Sequence, residues 1–350
     1  MTAKQILFEV GRTLLIFALP LLIAPLLIWA ERRIAAWIQS RVGPNRVGPM
    51  GLLQPAADVI KLIFKEDIVP TNADRVMYTM APLVAFFPTM IVFGLVPVAP
   101  PVDLGFGPMR MQAYDFGLAL VAFMSIVSVG VYGVAFGAWA SNNKYSLLGG
   151  IRSAAQMISY ELVLSLTVVW VIMVSGTTSL HEIVMKQAEH RWYIIEYPPF
   201  GLAACLLFLT GAMAENKRLP FDLPEGESEL VGGYHTEYSS MKFAMFFMAE
   251  YIAIMGMSAL FVTMFLGGWS LPGVIDPKST GLGSCLLGLA VFTGKMLAIV
   301  FLYMWVRWTL PRFRYDILMR LSWKRLVPFG FANLVLTAIY WWFRDGNKQA

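Results

Sequence analysis

Cysteine, histidine and charge are all scarce in this 350-residue sequence, which has two Cys, three His and a charged fraction of 14%. Cys205 and Cys285 stand far apart in separate apolar runs. Neither a cysteine zinc site nor an iron–sulfur cluster can be assembled from such a pair. His181, His190 and His235 fall between apolar runs, which argues against a bis-histidine haem held between membrane helices. No glycine fingerprint of the dinucleotide type follows a strand. The expectation is a chain that binds no metal, haem, flavin or NAD of its own. Any electron transfer it serves would run on cofactors of partner chains. The net charge of +5 is no nucleic-acid signal either, because the Lys and Arg residues sit beside apolar runs.

What the chain has in quantity is apolar length. It is 58% hydrophobic, with a mean hydropathy of +0.64, whereas a soluble domain is about half apolar and a quarter charged. The fold expected is an all-α integral membrane protein, one polytopic unit over 1–350. Windows long enough to cross ~30 Å of hydrocarbon fall at about 12–30, 77–98, 116–140, 152–174, 196–214, 243–266, 285–307 and 327–343. The fifth is weakest, interrupted at its start by Glu196 and Pro198-Pro199. The first has no small-residue cleavage site and runs into Glu31-Arg32-Arg33, so it reads as a retained span. Eight spans put both termini on one side. Of the 27 Lys and Arg residues, 18 lie in the odd-numbered loops and 8 at the termini and even loops, with Lys295 inside the seventh span. The positive-inside rule then places the odd loops in the cytoplasm and both termini on the outer, periplasmic side of an inner membrane. Pro20, Pro25, Pro82 and Pro88 inside spans fit either ordinary membrane-helix tolerance or a bent pair beside a cavity. No internal repeat is visible, which weakens an inverted-repeat transporter reading.

The first loop, 31–76, is unusually specific. Gly43-Pro44 and Gly48-Pro49 bracket Asn45-Arg46 and force a non-helical turn. Cations at a helix C-terminus explain Arg32 and Arg33 but not the acid Glu31. From about Leu52, the residues Leu52, Ala56, Val59, Ile60 and Ile63 share one helical face, and Asp58, Lys61 and Lys65 the other. This reads as an amphipathic helix in the interface plane, either a surface anchor or the mouth of a lipophilic-ligand site.

The block Ala214–Tyr238, within the loop 214–242, is acidic against the local bias. Glu215, Asp222, Glu225, Glu227, Glu229 and Glu237 stand against Lys217 and Arg218. Asp222-Leu-Pro-Glu225 fits a helix start, which accounts for two of the six. The rest suit either a surface for a basic partner or carboxylates that raise one another's pKa and exchange protons. Glu161, Glu250 and Lys295 lie inside spans, where charge is costly and marks either structural pairs or a relay.

These blocks resemble the NuoH family, the quinone-chamber membrane component of proton-pumping NADH:quinone oxidoreductase (respiratory complex I). The resemblance runs along the whole chain and is densest at Glu31–Glu66, Ala214–Tyr251 and Arg307–Lys324. It implies a quinone-entrance loop and interfacial helix at 31–76 and an acidic coupling loop at 214–242. It implies a quinone tunnel through Glu31, Arg32, Arg41, Ala56 and Asp58. It implies a proton relay through Glu161, Glu215, Asp222, Glu225, Glu227, Glu229 and Glu250, supported by Arg218, Tyr234, Glu237, Lys295 and Arg314. The substrate implied is a quinone, ubiquinone or menaquinone. The partners implied are iron–sulfur subunits of a soluble arm, and antiporter-like and small subunits of the membrane arm. One departure stands out: Ile317 takes the place of the Gln usual beside Asp316. The rival readings are the homologous membrane component of an energy-converting hydrogenase-type complex and a stand-alone ion transporter.

Overall fold

The computed structural model describes residues 3–103, 105, 108–114, 116–223, 231–275 and 279–349. Long apolar sequences with few backbone breakers must satisfy their own amides in hydrocarbon, and the helix is how an isolated segment does so. The chain accordingly forms α1 (Ala3–Ile38), α2 (Gln54–Phe64), α3 (Arg75–Ile91), α4 (Ala119–Ala140), α5 (Lys144–Ser175), α6 (Leu180–Glu189), α7 (Tyr193–Glu196), α8 (Phe200–Glu215), α9 (Ser240–Phe265), α10 (Leu282–Thr309), α11 (Tyr315–Leu321) and α12 (Val327–Gln349). Strand structure among the described residues is one short antiparallel pair, Val102–Asp103 with Pro108–Met109.

Among the described residues, seven helical stretches are long and apolar enough to cross a membrane: α1, α3, α4, α5, α9, α10 and the run Tyr315–Phe343. That last run joins α11 to α12 through a π turn at Ser322–Leu326. The eighth expected span, at 196–214, is the 16-residue helix α8. At 1.5 Å per residue it covers only ~24 Å. Its start is set back to Phe200, behind the single turn of α7 and the Pro198-Pro199 pair.

The bundle alternates in direction. Arg12 near the start of α1 donates to the Arg110 carbonyl at 2.5 Å, and Trp170 late in α5 donates to Thr337 in α12 at 2.9 Å. Both chain ends therefore share a face, the terminal face, with the α5–α6 and α9–α10 connections. The opposite, loop face carries 39–74, 141–143, 216–223, 231–239 and 310–314. Small residues bring neighbouring helices close, as in many membrane bundles. A Cβ on Gly133 of α4 would sit 2.5 Å from the Ala85 nitrogen of α3.

One boundary differs from that expected. The first helix does not end at residue 30 but continues through Glu31-Arg32-Arg33 to Ile38. Those three are good helix formers, and the chain breaks only where Gly43-Pro44 approaches. In the turn that follows, Gly51 has φ +75°, and a Cβ there would lie 2.3 Å from the Pro44 carbonyl oxygen. The interfacial helix forms as α2, with Pro55 in its first turn. Its polarity is turned inside out: Val59, Ile60, Ile63 and Phe64 are exposed, while Asp58 faces the bundle and pairs with Arg32 of α1 at 2.7 Å. That arrangement suits a helix bordered by lipid rather than water. The helix start expected at Asp222–Glu225 lies largely outside the described residues.

Candidate functional site

Where α1, α9 and α10 meet the turn after α1, they leave a cleft of about 480 Å³ open to the surroundings. Ile28, Ala35, Val42, Phe247 and Trp308 give it apolar walls, and Glu31, Arg32, Arg41 and Arg307 give it charge. Apolar walls with a few convergent polar groups are what a lipophilic ligand with a polar head requires. A second pocket of about 70 Å³ lies between α3, α4, α5 and α9. It is lined by Val127, Phe123 and Met257, and by Glu215, Lys217 and Glu250 at one end.

A chain of alternating charge joins the two. Arg307 of α10 donates to Glu31 Oε1. Tyr251 of α9 donates to Glu31 Oε2 at 2.7 Å. Arg218 Nη1 lies 3.6 Å from Glu31 Oε1, and its Nη2 lies 3.8 Å from Glu250 Oε2. The Arg218 guanidinium also stands 4.5 Å from the Tyr251 ring centroid. Tyr234 then donates to Glu250 Oε1 at 2.8 Å, and the Lys217 ammonium sits over the Tyr234 ring at 4.5 Å. Glu31 and Arg218 are each only 5% exposed. Buried charge persists only where opposite charges hold it, and this chain provides them link by link.

The early end of α8 makes this possible. It lets Glu215, Asn216, Lys217 and Arg218 enter the interior as the helix gives way to irregular backbone, all four buried. Such backbone is tolerated at depth only when protein surrounds it. Gln156 of α5 supplies the clamp, donating to the Ala214 and Phe221 carbonyls at 2.8 Å each. Phe313 N–H donates to the Pro220 carbonyl at 3.1 Å. Beyond it, Asp222 pairs with Arg312 at 3.4 Å. Burial pushes the Asp222 carboxyl up to about 6, against the opposing pull of Arg312.

The residues expected from sequence divide into several groups. Glu31, Arg32 and Arg41 line the cleft, and Asp58 joins it through Arg32. Ala56 lies outside it, on the exposed face of α2. Glu215, Glu250, Arg218 and Tyr234 are brought together. Glu161 of α5 accepts from Ser128 of α4 and lies within electrostatic reach of Glu215. Glu237 accepts from Asn143 at 2.5 Å, on the loop face. Arg314 is not part of the chain: it is exposed and pairs with Asp316 at 3.2 Å. Lys295 is also apart from it. Its ammonium donates to the Leu266, Gly268 and Ser270 carbonyls at 2.7, 3.0 and 2.7 Å, holding the turn that follows α9, ~24 Å along the helix from Glu250. Glu225, Glu227 and Glu229 lie outside the described residues. Arg307, Tyr251 and Arg312 fall in the blocks of densest resemblance, but nothing in the sequence assigns any of them a role. Arg307 reads there as one more basic residue at a span end, and only the unexplained acid Glu31 hints at a buried partner. Among the described residues no group of three or more His, Cys, Asp or Glu side chains is placed to hold a metal ion.

Fold and site together define a class: a polytopic α-helical membrane protein with a lipophilic cleft wired to charge in the bundle interior. Residues 11–338 match the family described as NADH dehydrogenase. The chain is 45% identical over 335 residues to one of the H-type NADH-quinone oxidoreductase subunits of Geobacter metallireducens, covering 96% of this chain and 97% of that one. It is 46% identical over 326 residues to NADH-quinone oxidoreductase subunit 8 of Rhodothermus marinus, covering 91% and 93%. It is 43% identical over 351 residues to the H-type relative of Salinibacter ruber, covering 97% of each. The chain belongs to the NADH dehydrogenase family.

Proposed function

We propose that this chain is the quinone-chamber component of an NADH-quinone oxidoreductase in the inner membrane. In this reading it guides quinone from the bilayer and links quinone reduction to proton translocation. The observation that carries it is the Arg307–Glu31–Arg218–Glu250 chain, which starts in the lipophilic cleft and ends inside the bundle. The cleft fits an amphipathic redox molecule: the isoprenoid tail lies on Ile28, Val42 and Phe247, and the carbonyl head approaches Arg32, Arg41 and Arg307. Electrons come from NADH through flavin and iron–sulfur centres of soluble-arm partners, so the redox chemistry is the cofactors' own. This chain positions the substrate and responds to its charge. Negative charge arriving near Arg307 weakens its hold on Glu31, draws Arg218 toward the cleft and leaves Glu250 less compensated. A less compensated buried carboxylate takes up a proton. The loop 214–242 and Glu161 extend the relay toward membrane-arm partners. The basic odd loops face the cytoplasm and both termini face outward.

The names of the relatives favour the quinone enzyme over a hydrogenase-type complex. The test is purification of the tagged chain from membranes in mild detergent. Co-purification of a flavin and iron–sulfur arm with inhibitor-sensitive NADH:quinone activity is expected. A nickel–iron hydrogenase partner, or a stable chain alone, would overturn the reading. In the assembled complex, Glu161→Gln is expected to lower proton translocation per electron, and wild-type pumping would remove Glu161 from the relay.

A further inference from the structure

The interfacial helix α2 ends without a cap of its own. One carbonyl of its last turn, Leu62, and one just beyond it, Glu66, accept from the start of α9. Ser240 Oγ donates to the Leu62 carbonyl at 3.0 Å, and Ser239 Oγ donates to the Glu66 carbonyl at 2.9 Å. Lys242 pairs with Asp67 at 2.9 Å. Ser240 is held at φ +54°, a left-handed conformation that a non-glycine residue adopts only when its surroundings impose it.

Tyr78, at the start of α3, stands at the centre of this junction and is fully buried. Its hydroxyl donates to the Glu237 carbonyl at 2.7 Å, with the Ile68 carbonyl 3.4 Å away. Its ring stacks on Tyr238 at 4.2 Å and 4°. Tyr238 in turn donates toward the Tyr78 carbonyl at 3.2 Å. A few residues back along the chain, Ser146 of α5 donates to the Tyr234 carbonyl at 3.0 Å. Gly149 of α5 lies so close to Gly233 that an added Cβ would be 2.8 Å from its Cα. The stretch 233–242 is thus pinned to α5 at one end and to α2 and α3 at the other. Its Tyr234 also holds Glu250.

We infer that residues 233–242 form a strut between the buried charge chain and the interfacial helix, with Tyr78 as its positioning residue. The strut makes the placement of α2 depend on the state of Tyr234 and Glu250, and so sets how a long-tailed quinone passes α2. The link to quinone rests on the function proposed above; the mechanical link does not. Removing the Tyr78 hydroxyl uncouples the two ends while the ring stack is kept.

The experiment uses the assembled complex with a nitroxide on a cysteine placed at Phe64, which is 85% exposed. The native Cys205 and Cys285 are buried, so within this chain the label goes to position 64, and a complex without the Phe64→Cys change, labelled in parallel, gives the background from partner subunits. Tyr234→Phe is expected to change the label's mobility, and to change it no longer when Tyr78→Phe is also present. Ser240→Ala, which frees the Leu62 carbonyl, is expected to act as Tyr78→Phe does and replaces it should that variant not assemble. KM for a long-tailed quinone is expected to rise about fivefold in Tyr78→Phe, the weight of one hydrogen bond. KM for a short-tailed analogue and kcat should hold. An equal label response to Tyr234→Phe in both backgrounds, or none in either, would overturn the strut. A label response that matches expectation in a complex without quinone reductase activity would support the strut and reject the functional reading on which the KM effect depends.

Discussion

Arg218 stands between Glu31 and Glu250 with almost no access to solvent, so its loss leaves two buried carboxylates without the cation that lies between them. Breaking a buried ionic network by removing one partner costs about 3 kcal/mol or more. Arg218→Gln is expected to lower quinone reduction at least tenfold and to lower the temperature of thermal inactivation. Arg218→Lys should recover little, because a single ammonium cannot span the two carboxylates as a fork does. Asp222 gives a pH signature. Its folded-state carboxyl titrates near 6, above the ordinary 3.8, so the folded state favours the neutral form. The ionised form therefore penalises folding. The penalty is absent below the ordinary value, grows as pH rises toward 6, and is complete above it, at about 3 kcal/mol. Asp222→Asn should match the wild type near pH 4 and exceed it in thermal stability from pH 6 upward. Stability scans from pH 4 to 8 measure that difference, and parallel curves would contradict it.

Two elements behave differently from a generic span. The short helix α8 places four polar residues inside the bundle because its last turn is reached early. The turn that follows α9 is held from α10, where Lys295 supplies three hydrogen bonds to its carbonyls. Lys295→Met should leave those carbonyls unpaired at a cost of about 2 kcal/mol. It is expected to lower thermal stability while leaving KM for quinone near the wild-type value, since the side chain is remote from the cleft. A large KM effect would restore Lys295 to the relay. The interfacial helix α2 shows its apolar face outward, so Ile63→Asp should weaken its hold on the membrane. Limited proteolysis near residues 65–70 would report that as faster cleavage.

At the scale of the whole molecule, the spans are legible in the sequence because an uninterrupted apolar window has few alternatives to a helix. Seven meet the length of a crossing, and the weak fifth window is the one that comes out short. The composition of the site is legible too. Glu31 stands out as an acid that no capping rule explains, and the cluster around Lys217 and Arg218 as an anomaly. Its wiring is not legible. Arg307 lies 276 residues from Glu31 in sequence and Tyr251 lies 220 away, and no local pattern encodes such pairings. The end of the first helix falls later than expected because charge reads as a stop signal, whereas a buried acid with partners on α9 and α10 is compatible with further helix. Lys295 shows the limit from the other side: a charge inside a span fits either a structural contact or a relay, and only the structure shows that it reaches the carbonyls of the turn after α9.

The chain end at Glu250 lies ten residues into α9, ~15 Å from that helix's first residue. That is up to about half of a ~30 Å insulating slab. A charge moved across the whole slab works against the membrane voltage by about 2.3 kcal/mol per 100 mV. A proton arriving at Glu250 from the loop face therefore meets up to about 1 kcal/mol of that voltage for each 100 mV. In the relay proposed above, occupancy of this glutamate becomes a reading of how strongly the membrane is energised. Its depth along α9 sets how much back-pressure that site feels.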